Sequence, residues 1–156
     1  MAGGMLAAAL ARTSLDIVLL DGAVAPVMPT AQPASRVSAL TETSERLLRA
    51  AGAWQYMPAQ RLQPYEQMEV RDGDGTGEVH FCAADASASH LGTLVENDAV
   101  VAALFQCCAA ASQIDWRSAC KVADIRRTNH GWQVELVDGE CIDCRLLIGA
   151  DGARSM

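Results

Sequence analysis

The sequence predicts an α/β fold in which helices cover a parallel sheet. Residues 4–13 are rich in strong helix formers and almost free of charge, which suits a helix pressed against a sheet. A short apolar strand at 16–21 follows, and a second apolar run lies at 146–148. Unbroken apolar runs of this kind are typical of parallel strands that are buried on both faces. We expect the two strands to be neighbours in one sheet or one strand apart, with the helix packed on it through Leu6 and Leu10.

Length, composition and charge limit the classes of function that the chain can have. It has 156 residues, 51% of them hydrophobic and 20% charged, which is enough for one globular domain. The net charge of −7 argues against nucleic acid, which needs clustered Lys and Arg. An anionic ligand would therefore be held by backbone N–H groups and helix dipoles. No signal peptide is visible, and the longest apolar run, 99–111, is interrupted by Gln106 and too short to span a bilayer. We expect a cytoplasmic chain.

The six cysteines are interpreted as reduced thiols. Cys107 and Cys108 are neighbours inside a predicted helix, a poor geometry for a mutual disulfide. Cys141 and Cys144 form a lone C-x-x-C without a second ligand pair, and the three histidines are scattered singly. We expect free thiols that pack as small apolar residues, and no metal.

The start of the chain has the order of the second half of a Rossmann βαβ unit. In that unit a glycine loop precedes the helix, and an acid about 20 residues later binds a ribose hydroxyl. If Gly3 is the third glycine of the loop, Asp21 follows eighteen positions later (21 − 3). This register implies that the first strand and the first two glycines are missing from the chain. Reading 2–7 as the loop would replace two of the three glycines, and a flexible terminus around Gly3 and Gly4 is a further alternative.

Capping and turn residues place the middle elements. A helix is predicted at 42–51, with Thr41 or Thr43 as N-cap and Gly52 as the stop. A second helix is predicted at 97–111, with Val100, Leu104 and Cys108 on one face. Strands or short apolar segments are predicted at 68–70, 78–81, 91–95, 120–127 and 132–137.

Turn signals connect these strands. Residues 72–75 (Asp-Gly-Asp-Gly) indicate a hairpin, and 22–35, with three prolines, indicates an irregular connection. In the strand at 132–137, Val134 and Leu136 should face inward. Residues 138–139 (Asp-Gly) predict a type I′ turn into a strand that ends at Gly149.

The apolar run at 146–148 leads into Gly-Ala-Asp-Gly-Ala-Arg-Ser at 149–155. Glycines at such a strand end let the backbone approach a ligand closely, although spacing alone is equally compatible with an ordinary turn. The motif is similar to the second nucleotide-contacting motif of the class A flavoprotein aromatic hydroxylases. Further segments in the same order resemble the ubiquinone-biosynthesis hydroxylases of that family, at 36–40, 52–55, 65–70, 89–97 and 147–153.

Within that family the segments most resemble the 2-octaprenylphenol hydroxylases, with the 3-demethoxyubiquinol hydroxylases as near relatives. The resemblance covers nearly all of the chain, but only the N-terminal part of such an enzyme. It implies a Rossmann-like FAD-binding domain of the glutathione-reductase type with a small inserted β region, incomplete at both ends. Residues 1–156 would be a partial FAD-binding domain, with 62–95 as the start of the substrate-domain sheet.

The resemblance also implies FAD as cofactor, NAD(P)H as reductant and a polyprenyl phenol as substrate. Other ubiquinone-biosynthesis proteins are implied as partners, and the inner membrane as a surface for peripheral association. In such enzymes the flavin supplies the chemistry, and the protein positions the ring and excludes water. No residue is therefore assigned as catalytic or as a metal ligand.

The residues that match the family's cofactor-binding positions are Gly3, Asp21, Arg36, Asn97, Asp151 and Gly152. The resemblance implies that Gly3 faces the FAD pyrophosphate and that Asp21 binds the adenosine ribose. It places Arg36 near the phosphate and ribityl region, and Asn97 at a flavin-contacting amide position. Asp151 and Gly152 would approach the ribityl–pyrophosphate region. The alternatives are a turn residue for Asp21, a solvated charge for Arg36 and a helix cap for Asn97.

The family's later Gly-Asp motif is absent from the sequence. We therefore expect the chain alone to show no hydroxylase turnover and at best weak FAD binding. Two rival interpretations remain open: a catalytically dead remnant that serves as a binding or assembly module, and a stand-alone domain that binds NAD instead of FAD.

Overall fold

A computed structural model describes residues 1–30 and 34–152. Pro33, and the end of the glycine motif at 153–155, lie outside the described residues. The helices are α1 (Ala2–Leu10), α2 (Glu42–Ala50) and α3 (Asn97–Ala109). The strands are β1 (Ile17–Leu20), β2 (Val37–Thr41), β3 (Leu62–Tyr65), β4 (Gln67–Arg71), β5 (Glu78–Cys82), β6 (Gly92–Glu96), β7 (Ile114–Arg117), β8 (Val122–Thr128), β9 (Gly131–Leu136) and β10 (Cys141–Cys144).

Helix α3 forms the centre of the core. Its predicted inner face is confirmed, because Val100, Leu104 and Cys108 are all buried. Helix α1 and strand β7 pack on α3, together with Leu48 and Met57. One hydrophobic cluster therefore joins elements from the beginning and the middle of the chain.

The parallel sheet contains strands other than the predicted pair. Strand β1 pairs in parallel with β7, in a register from Ile17↔Ile114 to Leu20↔Arg117. The sequence did not indicate β7, because its four residues include two charged side chains and no long apolar run. The predicted strand at 146–148 is wrong, since residues 146–150 form no strand and pair with none of the described strands. Leu146 is 72% exposed, which shows that an apolar run alone cannot specify a strand partner.

Helix α1 begins at Ala2, so Gly3 and Gly4 are helical rather than a flexible terminus. The prediction that Leu6 packs on the sheet is wrong, because Leu6 is 39% exposed. The buried face consists instead of the small residues Gly4, Ala7 and Ala8. A β-carbon at Gly4 would lie 2.9 Å from Trp116 Cη2, so α1 approaches β7 more closely than a leucine face allows.

Strands β2, β6 and β3 form a separate antiparallel sheet, in the order β2-β6-β3. Helix α2 starts as predicted, since Thr41 Oγ1 accepts a hydrogen bond from the Ser44 N–H at 3.3 Å. Gly52, with φ of +83°, follows the end of this helix as predicted. The segment at 91–95 forms β6, the central strand of this sheet.

The remaining strands form two antiparallel units. The predicted hairpin is confirmed as β4–β5, and β8, β9 and β10 form a three-stranded sheet. Val134 and Leu136 of β9 are buried, as their alternation predicted. The turn after β9 is not type I′, which would need a positive φ at both central residues, because only Gly139 has one. The Leu136 N–H donates to the Glu140 carbonyl, so residues 137–139 form a three-residue loop.

All six cysteines are free in the structure. Burial raises the pKa of the Cys108 thiol to about 11, and the neighbouring Cys107 contributes to this shift. Among the described residues, no helix is both long and apolar enough to cross a membrane.

Two glutamates that contact or belong to the β2-β6-β3 sheet are buried. Glu45 of α2 is 4% exposed and accepts a hydrogen bond from Thr93 Oγ1 at 2.7 Å. Glu96, at the end of β6, is 5% exposed and forms an ion pair with the Arg61 guanidinium. This hydrogen bond from Arg61, assisted by one from the Ala34 N–H, holds the pKa of Glu96 below its usual range.

We predict that Gly92→Ala destabilises the fold by about 2–3 kcal/mol, because the added β-carbon would overlap the Leu40 carbonyl oxygen across the β2–β6 pair. Urea denaturation measures the loss. Gly73→Ala, in the turn between β4 and β5, is the control, since no atom lies within 4 Å of the added carbon. Equal urea midpoints for the two variants would contradict this packing.

Acid should weaken the fold through Glu96. Its folded pKa lies below the unfolded value, so its stabilising contribution is complete above the ordinary value of 4.5 and is lost as the pH falls through the folded pKa. Between about pH 5 and about pH 3, the urea midpoint of the wild type should fall more steeply than that of Glu96→Gln. Parallel curves for the two proteins would show that Glu96 is not the group that titrates.

Candidate cofactor site

The start of α1 and the end of β1 lie at the same edge of the fold. Helix α1 packs on β1 and is joined to it by the short connection 11–16, so the two elements run in opposite directions. Nine helical residues and four strand residues both span about 13 Å. Gly3 therefore lies at the same end as Asp21, where the carboxyl ends of parallel strands bind ligands in such sheets.

The N-terminus of α1 presents backbone donors. The N–H groups of Ala2, Gly3 and Gly4 have no acceptor within the helix, and the first helical bond runs from the Met5 N–H to the Met1 carbonyl at 2.9 Å. The N-cap residue, Met1, makes no side-chain capping hydrogen bond, and the first turn of the helix contains no acidic residue. Uncapped N–H groups and the positive end of the helix dipole suit an anion such as a pyrophosphate.

The glycine motif near the chain's end meets this helix. A β-carbon at Gly3 would lie 3.2 Å from Ala150 Cβ, so Ala150 lies against the first turn of α1. Asp151 and Gly152 are exposed there, and Gly152 has a φ of +82°. The structure thus brings together two segments separated by almost 150 positions in the sequence, and a side chain at Gly3 would fill the space between them.

Asp21 directly follows β1 and is half-buried. Its Oδ1 accepts a hydrogen bond from the Ala23 N–H at 3.0 Å, as expected for a turn residue. Its backbone is fixed by hydrogen bonds from its N–H to the Arg117 carbonyl and from the Cys120 N–H to its own carbonyl. The turn uses one carboxylate oxygen, and the second can still accept a hydrogen bond from a ribose hydroxyl.

A buried hydroxyl lies near Asp21, at the carboxyl end of β7. Ser118 Oγ has no hydrogen-bond partner among the described residues, nor has the indole N–H of Trp116. Buried polar atoms are normally paired, so an unpaired one near a predicted ribose site fits a polar ligand. Sequence reasoning missed Ser118 because β7 itself was not predicted.

Arg36 and Asn97 form a second part of the site. The Asn97 N–H donates to the Arg36 carbonyl at 3.0 Å, and Asn97 Oδ1 accepts from Ser38 Oγ at 2.5 Å. Glu96, not Asn97, is the N-cap of α3, so the helix-cap alternative for Asn97 is wrong. The Arg36 side chain is exposed and has no partner within the described ranges.

The two parts lie at different levels along α3. Helix α1 meets α3 at Leu104, which lies 3.5 Å from the β-carbon position of Gly4. Asn97 lies seven residues earlier (104 − 97), or about 10 Å along the helix. The structure thus pairs Gly3 with Ala150 and Arg36 with Asn97. A dinucleotide, which contacts its protein along its whole length, suits such a divided site.

A groove with a volume of about 600 Å³ adjoins the second part. Its walls include Met28, Val37 and Leu94, and the Arg61–Glu96 ion pair forms part of its lining. Sequence reasoning missed this ion pair, although a charged residue that ends an apolar strand directly before a helix could have indicated Glu96. The groove combines apolar walls with a fixed guanidinium and carboxylate.

One group of possible metal ligands lies elsewhere, on the β4–β5 hairpin. The donor atoms of Glu69, Glu78 and His80 lie within 4.8 Å of one another, and all three residues are exposed. The Arg71 guanidinium forms ion pairs with both carboxylates, which already neutralises part of their charge. The arrangement is that of a charged hairpin face, and it contains none of the predicted cofactor-binding residues.

Two similar proteins of known function both act in ubiquinone biosynthesis. The 3-demethoxyubiquinol 3-hydroxylase of Escherichia coli is 35% identical over 99% of this chain, which spans 40% of that protein. The mitochondrial ubiquinone biosynthesis monooxygenase COQ6 of Drosophila melanogaster is 30% identical over the whole chain, which spans 35% of it. The chain thus spans about two fifths of the length of these relatives. No protein-family model matches it.

The fold is shared with solved structures. PqsL of Pseudomonas aeruginosa, described as a probable FAD-dependent monooxygenase, superposes with a TM-score of 0.65 over 97% of this chain and 40% of its own. Its sequence identity of 19% means that the similarity concerns the fold alone.

The comparisons support the predicted resemblance to ubiquinone-biosynthesis hydroxylases, but they do not support the predicted resemblance to one enzyme among them. Sequence motifs favoured 2-octaprenylphenol hydroxylase, whereas the relative with 35% identity carries the name of the alternative, 3-demethoxyubiquinol 3-hydroxylase. The homologues of this chain are therefore hydroxylases of ubiquinone biosynthesis.

Proposed function

We propose that this chain provides the FAD-binding part of an FAD-dependent monooxygenase that hydroxylates a ring precursor of ubiquinone. The observation that carries the proposal is the uncapped N-terminus of α1, where Gly3 packs against Ala150 beside Asp151 and Gly152. Asp21 lies at the same edge, so the donors for a pyrophosphate and the acceptor for a ribose occur together. The names of the relatives supply the pathway.

Each proposed cofactor-binding residue has a role that its position allows. The N–H groups at Gly3 would bind the pyrophosphate, and the Asp21 carboxylate would accept a hydrogen bond from the adenosine ribose. The exposed Arg36 guanidinium would pair with the phosphate and ribityl region, and the Asn97 amide would donate to the flavin end. The backbone at Asp151 and Gly152 would approach the ribityl–pyrophosphate region.

Bound FAD would supply the hydroxylation chemistry, with NAD(P)H as reductant and O₂ as the oxygen source. The chain's own residues bind and orient the cofactor, and none of them needs to act as an acid or a base. We assign no catalytic residue and no metal.

Of the two substrates that the motifs indicated, the 35% identical relative favours a demethoxyubiquinol over a polyprenyl phenol. Residues 62–95 would begin the substrate-domain sheet. The β4–β5 hairpin is consistent with this role, because Met68, Val70, Val79 and Phe81 are each between 41% and 53% exposed on its apolar face. Another layer would have to cover that face.

We place the protein in the cytoplasm, with peripheral association at the inner membrane and other proteins of ubiquinone biosynthesis as partners. The proposal of peripheral association follows from a polyprenyl substrate that would reside in the membrane. A binding or assembly module without catalysis is the second candidate function, since the cofactor-binding edge could persist without a substrate cavity. An NAD-binding domain is the third, because the Gly3–Asp21 pattern alone does not distinguish the two dinucleotides.

We predict that Gly3→Ala weakens FAD binding at least tenfold, because the added methyl group would occupy the space between α1 and Ala150. A tenfold change corresponds to about 1.4 kcal/mol. Titration of the chain with FAD, followed by quenching of flavin fluorescence, measures it. Gly73→Ala, which adds its methyl group in open space, is the matched control and should bind FAD like the wild type.

Equal affinity of the Gly3 and Gly73 variants would contradict the proposed pyrophosphate site. Parallel titrations with NAD distinguish the FAD-binding proposal from the NAD-binding alternative. Saturable NAD binding without FAD binding would support the NAD-binding alternative.

A further inference from the structure

The end of β6 holds a charged group that the proposed cofactor contacts do not use. Glu96 is buried, and its two carboxylate oxygens have different partners. Oε1 accepts a hydrogen bond from the Ala34 N–H, and Oε2 pairs with Arg61 Nη1. The Arg61 side chain is itself only 12% exposed. A buried carboxylate without such partners would be strongly destabilising, so the three residues form one unit.

This unit lies next to Arg36, at the start of β2. Ala34 is two residues before Arg36, and Glu96 is directly before Asn97. The Asn97 N–H donates to the Arg36 carbonyl, and Val37 is the register partner of Glu96 across the β2–β6 pair. Three successive contacts therefore fix residues 34–37 against the start of α3.

The Arg36 side chain has no anchor of its own among the described residues. Its guanidinium is exposed and pairs with no described carboxylate, so its position depends on the backbone that carries it. Arginine is a long side chain whose ordering costs entropy, and a fixed backbone limits the volume that the guanidinium samples. The contacts of Glu96 supply that restraint on both sides of Arg36, at Ala34 and at Val37.

We propose that Glu96 and Arg61 are positioning residues, whose ion pair clamps residues 34–37 against the first turn of α3 and holds the Arg36 guanidinium where it meets the anionic part of the cofactor. The cofactor half of this inference rests on the proposed function, whereas the clamp itself does not. The hydrogen bonds from Arg61 and from the Ala34 N–H lower the pKa of Glu96 and so favour its charged form.

Glu45 provides a matched control inside the same molecule. It is buried to the same degree as Glu96, and it also accepts a hydrogen bond, from Thr93 Oγ1. It lies in α2 and contacts His90 and Arg49 rather than residues 34–37. Replacing either glutamate by glutamine removes one buried charge at constant size, but only Glu96→Gln loosens the clamp.

The first measurement is amide hydrogen exchange of the chain without cofactor, at a temperature where the wild type, Glu96→Gln, Arg61→Met and Glu45→Gln are all folded. We expect the Ala34 and Asn97 amides to exchange at least tenfold faster in Glu96→Gln and Arg61→Met, and at wild-type rates in Glu45→Gln. Arg61→Lys, which keeps the positive charge, should restore part of the protection. Unchanged exchange at Ala34 in Glu96→Gln would overturn the clamp.

The second measurement is FAD titration of the same variants. Glu96→Gln and Arg61→Met should bind FAD at least fivefold more weakly than Glu45→Gln. Faster exchange combined with equal FAD affinity would overturn the positioning role and leave a structural ion pair. If the wild type binds no FAD, the proposed function fails, and the exchange experiment alone decides whether the clamp exists.

Discussion

The close approach of α1 to α3 and β7 is the contact on which the rest of the structure depends. Gly4 leaves room for the Trp116 ring, and the small residues Ala7 and Ala8 complete the buried face of α1. This packing sets the position of the first turn of α1, and with it the uncapped N–H groups that lie next to Ala150. The same contact joins the parallel strands to the central helix. The packing that stabilises the fold therefore also positions the candidate site.

A second constraint acts where β6 becomes α3. A carboxylate at this junction is buried only because a guanidinium and a backbone N–H compensate its charge. The candidate cofactor site therefore consists of one part fixed by apolar packing and another fixed by polar contacts. The packing of the first part involves no ionisable side chain, whereas the second part contains the Glu96 carboxylate. Such a division would let an acidic chain hold the proposed anionic cofactor with backbone donors and the Arg36 guanidinium.

Local signals in the sequence predicted the elements that local physics determines. Thr41, Gly52 and the 72–75 turn have strong capping or turn preferences, and α2 and the β4–β5 hairpin formed as expected. Which strands pair with each other could not be predicted in this way. The apolar run at 146–148 looks like a strand, but it pairs with none of the described strands. Strand β7, Ser118 and the Arg61–Glu96 ion pair depend on residues distant in sequence. The resemblance to a family supplied the candidate residues, and only the structure showed which of them meet.

We propose that FAD binds to both parts of the candidate site, through residues from five segments of the chain. Mapping backbone amide chemical shifts by NMR during an FAD titration tests it most directly, because each segment reports separately. We expect saturable shifts at Gly3, Asp21, Arg36, Asn97 and Gly152, with the β4–β5 hairpin unaffected. Shifts confined to that hairpin, or no shifts at Gly3 and Gly152 at saturating FAD, would contradict it.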